Sequence, residues 1–331
     1  MGTDPHGTAS WYARSAHELA ASPLQVEWAA GIAADPEVLA LIDQLPREHR
    51  QPSLLFSVAG YLGAPDASWR DLRRWLIAEW PRVEAVARRR RTQTNEVGRC
   101  APLLAALDRI PGPLAVIELG ASAGLCLGLD RYAYGFDDDE VIGDGEPLLR
   151  CATTGRGASP VSIPDIAWRI GVDLTPLSLG DADDIRWLEA LLPPDRPERR
   201  ERLRAAIARV ADAPPEVVAG DALDALPALL AAAPSEATIV VVSLGTLIYL
   251  PPQARTEVMH TVAQAGARMV TLEPVTAVPR IAEALAGLTA PEPTPFLLAL
   301  DGRPIAYTAA HGERMSWLSP VGQPGSAGPP A

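Results

Sequence analysis

Apolar residues along the first third of the chain recur at helical spacing. Leu24, Trp28 and Ile32 fall four apart, as do Val38 and Ile42, and Leu72, Trp75, Leu76 and Trp80 follow at intervals of three, one and four, which places each set on one helix face. Pro23, Pro36, Pro46, Pro52 and Pro81 mark first helical turns or loops. The pattern predicts a helical block over residues 11–112, without strands.

After Pro111-Gly112-Pro113 the texture changes. Short β-branched runs at Leu114 to Leu119, Ile166 to Leu174, Glu216 to Ala219, Thr238 to Leu244 and Arg268 to Glu273 alternate with helical stretches at 181–192, 198–211, 222–232, 252–265 and 278–287. Such alternation predicts an α/β unit over 113–318, a mainly parallel sheet with helices on both faces. Phe296 to Trp317 carries the turn dipeptide Asp301-Gly302 between two strand-like stretches, which predicts an antiparallel C-terminal hairpin. Residues 137–165 fit neither texture: an acidic run, several glycines and the strand-like Pro147 to Thr153 read as a loop or β-insertion. The ends, 1–10 and 319–331, lack any apolar period and are expected to be disordered.

Composition narrows the chemistry. All 29 basic residues are Arg, against 41 acids, for a net charge of −12. The absence of Lys excludes Schiff-base catalysis, and the acidic balance disfavours non-specific nucleic-acid binding. The run Arg88 to Arg91 reads as the solvated last turn of a helix. Cys100, Cys126 and Cys151 form no CxxC pair and no metal-ligand spacing with His, so no metal site is expected. No apolar run approaches the ~20 residues of a membrane span, and the chain is expected to be cytoplasmic and reduced.

The segment Leu114-Ala115-Val116-Ile117-Glu118-Leu119-Gly120-Ala121-Ser122-Ala123-Gly124-Leu125 is a buried-strand pattern ending in an acid, then a glycine-rich turn expected to open a helix. Gly120 and Gly124 permit a tight turn and close approach of backbone to a ligand, and a helix start offers free N–H groups. The spacing E-x-G-x-x-x-G differs from the G-x-G-x-x-G suited to a pyrophosphate, which points to a nucleoside without phosphates.

This segment resembles the first motif of class I S-adenosylmethionine-dependent methyltransferases, and three later segments resemble further motifs of that family in order. Arg169 to Pro176 resembles its second strand, whose terminal acid, here Asp173, receives the ribose hydroxyls; capping of the next turn is the alternative for Asp173. Val217 to Leu223 resembles its third strand, with Asp221 and Ala222 at the adenine edge, or Asp221 as a helix N-cap. Thr238 to Pro252 resembles its fourth strand and following loop, with Ser243, Leu244 and Gly245 beside the cofactor and Tyr249 lining the reaction chamber or packed as a core aromatic. The resemblance implies a Rossmann-like methyltransferase sheet, an S-adenosylmethionine site on Glu118, Gly120, Ala121, Ser122, Gly124, Asp173, Asp221, Ala222, Ser243, Leu244 and Gly245, and a small-molecule acceptor held between the helical cap and the sheet.

Outside the motifs, Glu273 ends the fifth strand and is a candidate near the acceptor. In Thr92 to Arg99, Thr94 or Asn95 caps the next helix with Glu96 in its first turn, or Asn95, Glu96 and Arg99 bind an acceptor carboxylate, Arg99 bidentately. The whole chain also resembles the bacterial DUF2332 family, in Gln51 to Phe56, Gln93 to Arg99, Glu118 to Leu125 and Leu129 to Tyr132, which supplies no substrate. Methyl transfer is the first functional expectation. The alternatives are cofactor binding without turnover, as a pseudoenzyme or partner-binding protein, and an enzyme that cyclises or cleaves S-adenosylmethionine. A dehydrogenase ranks lower for want of the third glycine, and a serine hydrolase lower again: Gly120-Ala121-Ser122-Ala123-Gly124 matches G-x-S-x-G, but no persuasive His partner accompanies Ser122.

Overall fold

The computed structural model describes residues 7–318 apart from 20, 94, 138, 279–280, 282–284 and 286–295. They form two compact units, Met1–Thr94 with Ser178–Arg204 and Asn95–Leu177 with Ala205–Ala331. The helices are α1 (Gly7–Glu18), α2 (Pro23–Ala33), α3 (Pro36–Ile42), α4 (Pro52–Tyr61), α5 (Trp69–Ala87), α6 (Cys100–Leu107), α7 (Ala182–Ala190), α8 (Pro197–Val210), α9 (Ala222–Ala232) and α10 (Pro252–Gln264). The strands are β1 (Leu114–Leu119), β2 (Ala133–Phe136), β3 (Leu148–Thr154), β4 (Ile166–Asp173), β5 (Val217–Ala219), β6 (Thr238–Leu244), β7 (Arg268–Pro274), β8 (Phe296–Leu300), β9 (Arg303–Thr308) and β10 (Arg314–Trp317).

The first unit is helical, as the periodicity predicts. Pro23, Pro36 and Pro52 start α2, α3 and α4, and the Ser22 and Asp35 side chains cap α2 and α3, where proline's missing N–H costs nothing and the cap oxygen takes an orphan donor. Pro81 differs: it lies inside α5. Residues 7–10, expected to be disordered, belong to α1; 1–6 and 319–331 lie outside the described residues, as does most of the helix expected at 278–287. Two further expectations change here. The helix α7, read as a sheet crossover, belongs to this unit, because its acids are bound within it: Tyr61 donates to Asp183, and Arg90 donates to both Asp183 and Asp184. Trp187, 1% exposed, packs edge-on against Tyr61 at 5.6 Å. Arg90 sits between these two rings, so one of the four arginines read as a solvated run is a packed cation.

The second unit is a mixed α/β structure. Its described strands form one ten-stranded sheet in the order β2-β3-β10-β9-β8-β7-β6-β1-β4-β5. The stretch β7-β6-β1-β4-β5 is parallel throughout, and β8 and β9 return antiparallel through a turn at Asp301 and Gly302, where φ is 52° and 72°. The expected hairpin is therefore a three-stranded meander, since β10 pairs antiparallel with β9. The stretch read as an insertion supplies β3, which pairs parallel with β10 and so belongs to the sheet. On one sheet face Ile117, Leu119, Val241 and Met269 pack with Leu226, Leu229 and Leu230 of α9 and Val258 and Val262 of α10. The helix α6, buried at all eight residues, packs on β3, β7 and β8. That burial explains why the division falls at Thr94 and Asn95 rather than at 112. Within the parallel stretch, chain order runs β1-β4-β5 to one side and β1-β6-β7 to the other, so it reverses between β1 and β6. A ligand crevice in an open parallel sheet lies at such a reversal, beyond the carboxyl ends of the strands.

Candidate functional site

The turn after β1 adopts left-handed backbone at Gly120 (φ 72°), Ser122 (53°) and Gly124 (73°), which costs glycine little and serine more. Ser122 is held in place from two sides. Its N–H donates to Asp173 Oδ2 at 2.9 Å, and Asn95 Nδ2 donates to its hydroxyl. Asn95 Oδ1 also accepts the Ala123 N–H at 3.3 Å. Asp173 Oδ1 takes the Thr175 N–H at 2.9 Å, so the capping role weighed for this acid is present. The turn leads into a 3₁₀ segment, Leu125–Arg131, in place of the expected α-helix, because the chain becomes extended at Tyr132 to enter β2. A Cβ on Gly120 would fall within the Thr246 side chain, and one on Gly124 would lie 3.0 Å from Val217 Cγ2. Both glycines therefore admit neighbouring protein groups. Gly171 similarly makes room for Ala121. Ser122 is 1% exposed, unlike the presented serine of a nucleophile elbow.

The turn after β6 has a different anchor. Glu273, at the end of β7 and wholly buried, accepts on Oε1 the Ser243 hydroxyl at 2.6 Å and the N–H groups of Gly245 at 3.1 Å, Thr246 at 2.8 Å and Leu247 at 2.9 Å. Its Oε2 has no partner among the described residues. Burial pushes its carboxyl above the ordinary range, against the pull of those donors and of Arg99. Glu273, read as a group near the acceptor, is thus the staple that fixes the turn, a role hidden because its amide donors lie about 26 to 28 residues upstream.

Arg99 also changes role. It is 5% exposed, donates to the carbonyls of Leu244 and Ala310, and stands 5.0 Å from the Phe296 ring centroid. Burial lowers its pKa, with Glu96 the leading opposing charge. Gly245 (φ 85°) leaves the guanidinium room, since a Cβ there would strike it. The fork expected to grip an acceptor carboxylate spends donors on two backbone carbonyls. Glu96, in place of Thr94 or Asn95, is the local cap: it accepts the Gly98 N–H at 3.1 Å and starts the 3₁₀ turn before α6; Thr94 lies outside the described residues. Glu118 is buried opposite Ile117 and Leu119, and its Oε2 has no partner among the described residues. Burial, reinforced by Cys126 and Asp173, holds its carboxyl well above the usual carboxylate range.

Asp221 caps α9 by accepting the Leu223 N–H at 2.8 Å, and Ala222 is the first residue of that helix. Tyr249 is 74% exposed and Leu174, just past β4, is 71% exposed, so Tyr249 is not a core aromatic. The carboxyl ends of β1, β4, β5 and β7 thus carry Glu118, Asp173, Asp221 and Glu273, and the reversal places the two turns side by side.

These features define a mixed α/β protein with an acid-rich carboxyl edge. The chain belongs to the family described as an uncharacterized protein conserved in bacteria (DUF2332), whose model matches residues 9–317. No curated protein matches it significantly. No helix of the described residues is long and apolar enough to cross a membrane, and its three cysteines are free and buried.

Proposed function

We propose that the second unit is a Rossmann-like fold that binds S-adenosylmethionine at the carboxyl edge of β1, β4, β5 and β6 and transfers its methyl group to a small-molecule acceptor. The observation that carries this reading is the pair of accessible acids, Asp173 and Asp221, at the ends of β4 and β5 on the side of β1 away from the strand-order reversal. Accessible acids at these two strand ends disfavour phosphate ligands and favour a sulfonium nucleoside with an ammonium group; the buried Glu118 and Glu273 take no part in this. Its donor groups fit the residues present: Asp173 is fixed by two backbone amides at the strand end where a carboxylate accepts ribose hydroxyls. Asp221 and Ala222 stand at the neighbouring strand end for the adenine edge. The Gly120–Gly124 turn, with Ser122 oriented by Asn95, would hold the amino-acid end, and Ser243, Leu244 and Gly245 the side facing β6. Bound there, the cofactor supplies a sulfonium-activated methyl, for which this chain need provide position and exclusion of water more than acid-base help.

A second reading, cofactor binding without turnover, has one observation in its favour: Asn95, Glu96, Arg99 and Glu273 all make hydrogen bonds within this chain. Calorimetric titration of S-adenosylmethionine and S-adenosylhomocysteine into the wild type, Asp173→Ala and Gly120→Val tests the site. Micromolar binding lost in both variants supports it; no binding to wild type removes both readings. Product analysis with candidate acceptors then separates transfer from binding alone, and from cyclisation or cleavage of the cofactor.

A further inference from the structure

The helical unit carries a partly open cavity of about 290 Å³ lined by Trp28, Phe56, Gln25 and Arg200 among others. We propose that this cavity is a second ligand site, selective for a small aromatic carboxylate and independent of the nucleoside reading of the sheet. Two of its polar groups lack a partner among the described residues. Gln25 is 8% exposed, and its side-chain amide makes no hydrogen bond among the described residues. Arg200 Nε is buried without a partner. Buried polar groups are almost always bonded, so an Arg200 Nε buried without a partner, beside a nearly buried amide that makes no bond, is the signature of a missing partner on this lining. Arginine only donates, so the group that meets it is an acceptor, and charge assistance favours an anion.

The neighbouring acids do not fill that role. Glu189 has its carboxyl held below the usual range chiefly by Arg204, which takes both its oxygens at 2.6 and 2.8 Å, with Arg200 adding only a weaker attraction. Asp66, also on the wall, is exposed. The lining also has an apolar part. Trp28 and Phe56 meet edge to face at 5.4 Å, and the indole N–H is spent on the Ala67 carbonyl at 2.8 Å, which leaves ring surface toward the cavity. Such walls prefer an aromatic body. The volume, about that of ten waters at ~30 Å³ each, is at the small end for ligand pockets.

Benzoate, benzamide and benzylamine titrated into the full chain, by calorimetry and thermal unfolding, test the proposal. Benzoate is expected to bind and raise Tm, and benzylamine to do neither. Arg200→Met and Gln25→Leu should each weaken benzoate by about tenfold or more, with the far-ultraviolet dichroism unchanged. Gly60→Ala is a variant that keeps the fold: alanine is the better helix former, and its Cβ would lie in ordinary contact, 3.9 Å from the Ala190 carbonyl oxygen. Its methyl on the cavity wall should weaken benzoate without lowering the Tm of the free protein. No benzoate binding to the wild type, equal binding of all three compounds, or undiminished benzoate affinity in all three variants would overturn the site. S-adenosylmethionine affinity, read in the same variants, tests the other unit and is expected to stay unchanged.

Discussion

The two turns flanking the strand-order reversal are built on opposite plans. The turn after β6 hangs on a single buried oxygen of Glu273 that collects a hydroxyl and three amides. The turn after β1 is held by two separate side chains, Asn95 and Asp173, each making bonds to it from a different part of the chain. One is an anchor whose loss releases everything at once, and the other a clamp whose halves can fail separately. A rigid wall facing an adjustable one suits a crevice that must admit and then grip a ligand.

Breaking the anchor should have the largest effect. Glu273→Leu leaves three amides and a hydroxyl without their acceptor and is expected to cost about 3–5 kcal/mol, read as a lower midpoint in urea at unchanged slope. A loss under about 1 kcal/mol would show that the turn keeps its shape unaided. Gly120→Val comes next, at about 2–3 kcal/mol, from a β-branched residue at positive φ together with crowding against Thr246. Asn95→Ala should cost about 1–2 kcal/mol. If the clamp reading is right it also weakens S-adenosylmethionine more than Glu96→Gln does; equal effects of the two changes would sink it.

The smallest effect is a pH dependence. Burial raises the Glu118 carboxyl above its ordinary value near 4.5, so the folded state binds its proton more tightly than the unfolded chain. That contribution is fully present below about pH 4.5 and is lost as pH rises through the raised folded value. Wild-type stability should therefore fall more steeply than that of Glu118→Gln as pH is raised from about 5 to 9. Parallel profiles in denaturant titrations would place the titrating proton elsewhere.

Much of this arrangement was readable from sequence. The β-branched runs predict β1, β4, β5, β6 and β7 to within a few residues, because buried parallel strands are apolar along their length, and Asp301-Gly302 marks its own turn. Where the chemistry is local the alternative is visible, as with the helix N-cap weighed for Asp221, which is present on α9. What stayed hidden depends on distance along the chain. Nothing near Glu273 announces donors at 243–247, nothing near Arg99 announces the carbonyls of Leu244 and Ala310, and nothing in α7 shows that Asp183 and Asp184 answer Arg90. The strand-like stretch Pro147 to Thr153 marks β3 to within a residue but not its place in the sheet: four of its seven side chains are exposed, so it lacks the continuous apolar run of the buried strands, and nothing local shows that it pairs with β10.

The helical unit is assembled from two stretches of chain, Met1–Thr94 and Ser178–Arg204. During vectorial synthesis its second piece emerges about eighty residues after the first is finished, a wait of roughly 4 to 16 s at 5–20 residues per second. Throughout that interval Arg90 and Tyr61 lack their acids and the Trp28–Phe56 wall lacks the residues from Arg186 to Arg200, while β1 to β4 are already leaving the ribosome. The nascent chain thus carries two incomplete units at once, and a nascent-chain protease assay should find the helical segment cleavable until residues beyond Arg204 have cleared the exit tunnel.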